Sequence, residues 1–80
     1  MVNLQKVSKM NADILKELRP KEALIVIKAV GLRKKYEDLL IMRYVEELSC
    51  QEIADERLHM EVESVRNLVY KSRKQFEKYV

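Results

Sequence analysis

Apolar residues recur along the chain at three- and four-residue steps, which is the period of α-helices. The first run, Leu4 to Leu18, sets Leu4, Val7, Asn11, Ile14 and Leu18 in a narrow stripe of the kind that lines a coiled-coil seam, with Asn11 its polar member. So short a stripe argues first for packing on its own domain, with pairing to a second copy through residues 4–18 as the alternative. Pro20 closes this helix at or before Arg19. It also suits the first turn of a second helix, which "KEALIVIKAV" continues. Gly31 stops that helix, since glycine supplies the left-handed residue beyond a last turn. The run is apolar enough to be the most buried element expected.

A third helix is predicted from Lys34 to Glu46, with Tyr36, Leu39, Leu40, Met42 and Val45 available for a core face. Ser49 is the expected N-cap of a fourth, and Glu52, three residues on, completes a capping box. This helix turns Ile53 and Ala54 inward and ends near Leu58. The last helix begins near Val62 and repeats Val65, Leu68, Val69, Ser72, Phe76 and Tyr79 along one face. The expectation is an all-α, four- to five-helix small domain spanning 1–80. Residues 1–19 form its N-terminal helix, 21–46 its core helices and 49–79 a helix-turn-helix.

Composition narrows the function. Hydrophobic residues make up 48% and charged residues 36%, which suits one folded domain with a charged surface. The longest apolar stretch, Ala23 to Val30, is interrupted by Lys28 and is too short to span a bilayer. No charged-then-apolar leader opens the chain, and a lone Cys50 offers neither a disulfide nor a zinc set. A reducing, cytoplasmic setting follows as an expectation, with no membrane partner. The net charge is +3, and its positive excess sits at the two ends. Arg66, Lys71, Arg73, Lys74 and Lys78 crowd the last helix, which suits a phosphate-facing surface as well as a solvated one.

A helix-turn-helix makes specific demands. Its first helix braces the backbone, its turn sets a steep crossing angle, and its second helix inserts N-terminal residues into the major groove. The close crossing needs a small residue, and Ala54 follows core Ile53 to supply it. A hydrophobic plug must fill the corner, for which Met60 or Leu58 is available. Val65, Leu68 and Val69 give the second helix its buried spacing, while Glu63, Ser64, Arg66, Asn67, Lys71 and Lys74 are left for its exposed side.

With these residues in view, "YEDLLIMRYVEELSCQEIADE" resembles the start of the region 4 domain of bacterial sigma factors, where a "Y..VL.LRY.EGLS..EIAE" pattern precedes the reading helix. "MEVESVRNLVYKSRKQF" is similar to the "ISVGTVKSRLSRARKKL" kind of recognition segment. The likeness covers Tyr36 to Phe76 and extends to small sigma-like regulators of phages and mobile elements. This chain departs in three ways. Val65 lies one residue further from Ile53 than the pattern has it; the turn's usual Gly is absent, with Leu58 and His59 in its place; and Glu61 stands where Ser or Thr normally caps the second helix.

The resemblance implies base-reading by Val62, Glu63, Ser64, Arg66 and Asn67. Arg66 suits a guanine edge, Asn67 an adenine, and the Glu63 carboxylate can accept from the amino group of cytosine. Lys71, Arg73 and Lys74 would hold phosphates, and Ser49 and Gln51 could reach one from the start of the bracing helix. Ile53, Ala54, Met60, Val65, Leu68 and Val69 would form the motif's core. The implied partners are double-stranded DNA and RNA polymerase.

Each remaining chemical signal has an ordinary explanation. His59 has no neighbouring ligand and fits a turn residue. Glu46, Glu47, Asp55 and Glu56 fit a solvated face or a docking face for a basic partner. Tyr36, Tyr44, Tyr70 and Tyr79 fall at positions expected to edge the core. No nucleophile–base pair, metal cluster or phosphate-binding glycine loop stands out, so no enzyme, cofactor or small-molecule substrate is expected. Eighty residues also leave no room for a separate domain that opens a promoter. The expectation is therefore a DNA-binding transcriptional regulator. Its alternative is an interaction module of the same fold that binds polymerase or a regulator without reading DNA.

Overall fold

The computed structural model describes residues 12–79, and every regular element among them is helical. A short α1 spans Ile14–Glu17, α2 spans Pro20–Val30, α3 spans Lys34–Leu40, α4 spans Cys50–Glu52, and α5 spans Val62–Tyr79. Two of them change pitch before they end: α3 passes into a π-helical stretch, Ile41–Val45, and α4 into another, Ile53–Leu58. The all-α reading holds.

The local causes of these boundaries are mostly those the chain announces. Pro20 takes the first position of α2, where its missing N–H would have no partner, and the Glu22 carboxylate accepts from the Arg19 N–H at 3.0 Å. Gly31 ends α2 in the left-handed region, at φ 76°. Leu4, Val7 and Asn11 of the expected seam lie outside the described residues. Of the part within them, Ala12 and Leu15 are buried, while Ile14 and Leu18 are half-buried. Ala12 and Leu15 belong to the first hydrophobic cluster, and Ile14 and Leu18 pack against it.

Two hydrophobic clusters share the longest helix. Ala12, Leu15, Ala23, Ile27, Leu32, Leu40, Tyr44 and Phe76 form the first, bringing α1, α2 and α3 against the C-terminal half of α5. Leu39, Met42, Ile53, Ala54, Val65 and Val69 form the second, under α4 and the N-terminal half of α5. Ser72 lies fully buried on α5 between Val69 and Phe76, and its hydroxyl donates to the Leu68 carbonyl at 2.7 Å. That bond satisfies the hydroxyl within its own helix, so the core has no polar orphan there.

The expectation for α2 needs correction. Only Ala23 and Ile27 of its apolar run are fully buried, and Ile25 is 68% exposed. A helix turns about 100° per residue, so an unbroken apolar run must carry some members to the outer side. Lys28 on this helix reaches Glu37 of α3 at 3.1 Å, joining the two across the first cluster's rim.

Candidate nucleic-acid interface

The bracing helix begins with the predicted cap. The Ser49 hydroxyl accepts from the Glu52 N–H at 3.1 Å, and the Glu52 carboxylate accepts from the Ser49 N–H at 2.9 Å. That second bond, reinforced by the hydroxyl, holds the Glu52 carboxyl below its ordinary range. The loop before it is tied by the Arg43 guanidinium, which donates to the Leu48 carbonyl at 3.3 Å. Gln51 donates to the Asp55 carboxylate at 3.1 Å along the exposed side of α4. Ser49 and Gln51 are both exposed at this end. At the other end, Arg57 forms an ion pair with Glu46.

Ile53 and Ala54 are buried at the crossing, as are Val65 and Val69 of α5. The corner between the helices departs from expectation. The His59 N–H bonds back to the Ala54 carbonyl, and the Met60 N–H reaches the same oxygen at 3.1 Å. Bonds this wide hold more residues per turn than α-helical ones do. The extra residue between Ile53 and Val65 is thereby taken up inside the helix. His59 then adopts the left-handed conformation at φ 51° and swings the chain outward. In consequence Leu58 packs against the second cluster, while Met60 is 41% exposed. Met60 is not a core residue of the motif; Leu58 is the plug.

α5 starts at Val62, and the Glu61 carbonyl accepts from the Val65 N–H at 3.2 Å to open its ladder. Among the residues expected to read bases, Glu63, Ser64, Arg66 and Asn67 are exposed on the first two turns. Val62 is different, being half-buried and packed against the second cluster, as is Leu68. Arg66 donates to Glu63 at 2.6 Å, so these two opposite charges meet on the outer surface. Further along, Lys71 and Lys74 are exposed. Arg73 is drawn aside, its guanidinium forming an ion pair with Asp13 beside α1.

Helical geometry aligns Glu63, Asn67, Tyr70 and Lys74 on the side of α5 opposite Val65, Val69, Ser72 and Phe76. Tyr70 is 61% exposed within this stripe, and the Lys74 ammonium lies 5.4 Å from its ring centroid. Tyr79 is exposed as well, so neither residue edges the core as expected; Tyr44 is buried and Tyr36 half-buried. The same spacing that picks out Glu63 and Asn67 also reaches Tyr70, so its position was open to sequence reasoning. Asp13 carried no such signal, because its partner is distant in the chain.

Among the described residues, no three His, Cys, Asp or Glu side chains gather as a metal site, and no helix is long and apolar enough to cross a membrane. Residues 30–76 match the family described as Sigma-70, region 4. The chain belongs to this family. No curated protein and no solved structure matches it alongside. The sigma region 4 match takes in α3, α4 and nearly all of α5, and so covers the second cluster and its exposed surface. α1 and all but the last residue of α2 lie outside it. Sigma region 4 domains bind DNA and RNA polymerase and are regulatory rather than enzymatic, which makes this a transcription-related helix-turn-helix.

Proposed function

We propose that this chain is a transcriptional regulator whose α5 reads a promoter element in the major groove. The observation that carries the reading is the placement of Glu63, Arg66 and Asn67. They stand outward on the first two turns of a helix whose inner side, Val65 and Val69, is locked against Ile53 and Ala54. Arg66 serves a guanine edge, Asn67 an adenine and Glu63 the amino group of cytosine. Ser64 borders this set, and Val62 fixes the pitch of the first turn by packing inward. Ser49, Gln51, Lys71 and Lys74 hold phosphates on either side and set the register.

Selection from a random duplex library, followed by sequencing, tests this directly. One motif should emerge, with affinity that falls steeply as salt rises, because bound phosphates release counterions. Arg66→Ala should relax preference at one position and lose about 1–3 kcal/mol there, whereas Lys74→Ala should weaken all sequences alike. The Glu63–Arg66 pair favours a second reading, since both charges already have partners in the free protein. In that reading the surface binds polymerase without reading DNA. Retention of a polymerase subunit by a protein that retards no duplex at low salt would decide for it.

A further inference from the structure

Arg73, a member of the expected phosphate set, is held by a residue sixty positions away in the chain. It lies on the same flank of α5 as Arg66, two turns further along, with Lys74 next to it. Its guanidinium pairs with the Asp13 carboxylate, and Lys16 approaches that carboxylate at 3.7 Å. One residue earlier, the Ala12 N–H donates to the Glu77 carboxylate at 2.9 Å. A cleft of about 260 Å³ lined by Asp13, Tyr70, Arg73, Lys74 and Glu77 opens at this point. The cleft's two cations face two carboxylates: Glu77 is engaged by the Ala12 N–H, and Asp13 holds the Arg73 guanidinium, a group that binds carboxylate and phosphate alike.

We infer that Asp13 stands where a DNA phosphate binds, as a displaceable internal competitor for Arg73. This rests on the DNA reading above. The pair suits such a role: the Asp13 side chain is 54% exposed and that of Arg73 30% exposed. Ion pairs this open to water are weak, so a phosphate can replace the carboxylate without unfolding anything. The neighbouring bond from Ala12 to Glu77 keeps the carboxylate close while it is displaced. The arrangement lowers affinity for any duplex alike, because phosphates carry no sequence, and leaves preference to Arg66 and Asn67.

A double-mutant cycle on the full chain tests this, with fluorescence anisotropy on a fixed duplex as the readout. Asp13→Asn should tighten binding about three- to tenfold. Glu17→Gln, which removes the same charge from an exposed position of α1 without meeting Arg73, should change it less. Arg73→Gln should weaken binding little in the native background and clearly more in Asp13→Asn, since only there is the guanidinium unopposed. A merely structural clasp predicts otherwise: Asp13→Asn would lower the melting temperature and leave affinity equal to that of Glu17→Gln. That result overturns the inference while the DNA reading stands. Failure of both the native chain and Asp13→Asn to bind any duplex overturns the two together. Binding by Asp13→Asn alone supports the competitor in its strongest form.

Discussion

Glu47 and His59 hold positive φ, at 58° and 51°, and they follow the two π-helical stretches. A side chain in this conformation crowds its own carbonyl, at a cost of roughly 1–2 kcal/mol that glycine escapes. Part of that gain is offset by glycine's greater freedom in the unfolded chain. Glu47→Gly and His59→Gly should therefore each raise stability by about 0.5–1 kcal/mol, read as a higher urea midpoint at unchanged slope. An unchanged or lower midpoint would remove backbone strain as the account. Only the second was read from the sequence, where the corner lacks its usual Gly; the strain at Glu47 emerges from the structure. Met60 was not legible, because its direction depends on whether the preceding helix closes as an α or a π turn. Glu52 gives a pH prediction at the same scale. Its carboxyl is held low by bonds to Ser49, so its contribution is complete above the ordinary glutamate range and lost as pH falls through the lowered value. Glu52→Gln should flatten the acid limb of the stability profile, and an unchanged limb would count against the cap as its source.

At the scale of elements, the crossing of α4 with α5 makes the sharpest demand. Ala54 is 1% exposed between Ile53 and the inner side of α5, leaving no space for a larger side chain. Ala54→Leu should destabilise by about 1–3 kcal/mol through overpacking. Leu58→Ala should also destabilise, because Leu58 fills the corner, whereas Met60→Ala should stay within about 0.5 kcal/mol, as exposed substitutions usually do. Equal losses at Leu58 and Met60 in thermal melts would argue against the assignment of the plug. The helices themselves were readable because caps, Pro20 and Gly31 act locally. Their outward sides were harder to read. The apolar run of α2 does not mark Ile25 as its exposed member, and only the position of α3 and α5 decides that Ala23 and Ile27 turn inward.

At the scale of the whole molecule, α5 belongs to both hydrophobic clusters, through Val65 and Val69 in one and Phe76 in the other. Neither cluster keeps its packing if this helix is lost, so the described residues should unfold in a single transition. Phe76 is fully buried, and Phe76→Ala should lower stability by about 3–5 kcal/mol. Far-UV circular dichroism and tyrosine absorbance, which follows buried Tyr44, should fall at one midpoint in both proteins; two midpoints would show that the clusters melt apart. The helix-turn-helix was visible in the sequence because its residues lie close together in the chain. The joining of Asp13 to Arg73 was not, since nothing local relates them. The shared helix also makes the far end of the domain a gauge of occupancy at the near end. A partner that grips Glu63, Arg66 and Asn67 stabilises the folded state by about 2.7 kcal/mol at one hundred times its dissociation constant. Because melting is common to both clusters, Tyr44 would register that binding as a later melt although it lies in the cluster remote from Glu63, Arg66 and Asn67.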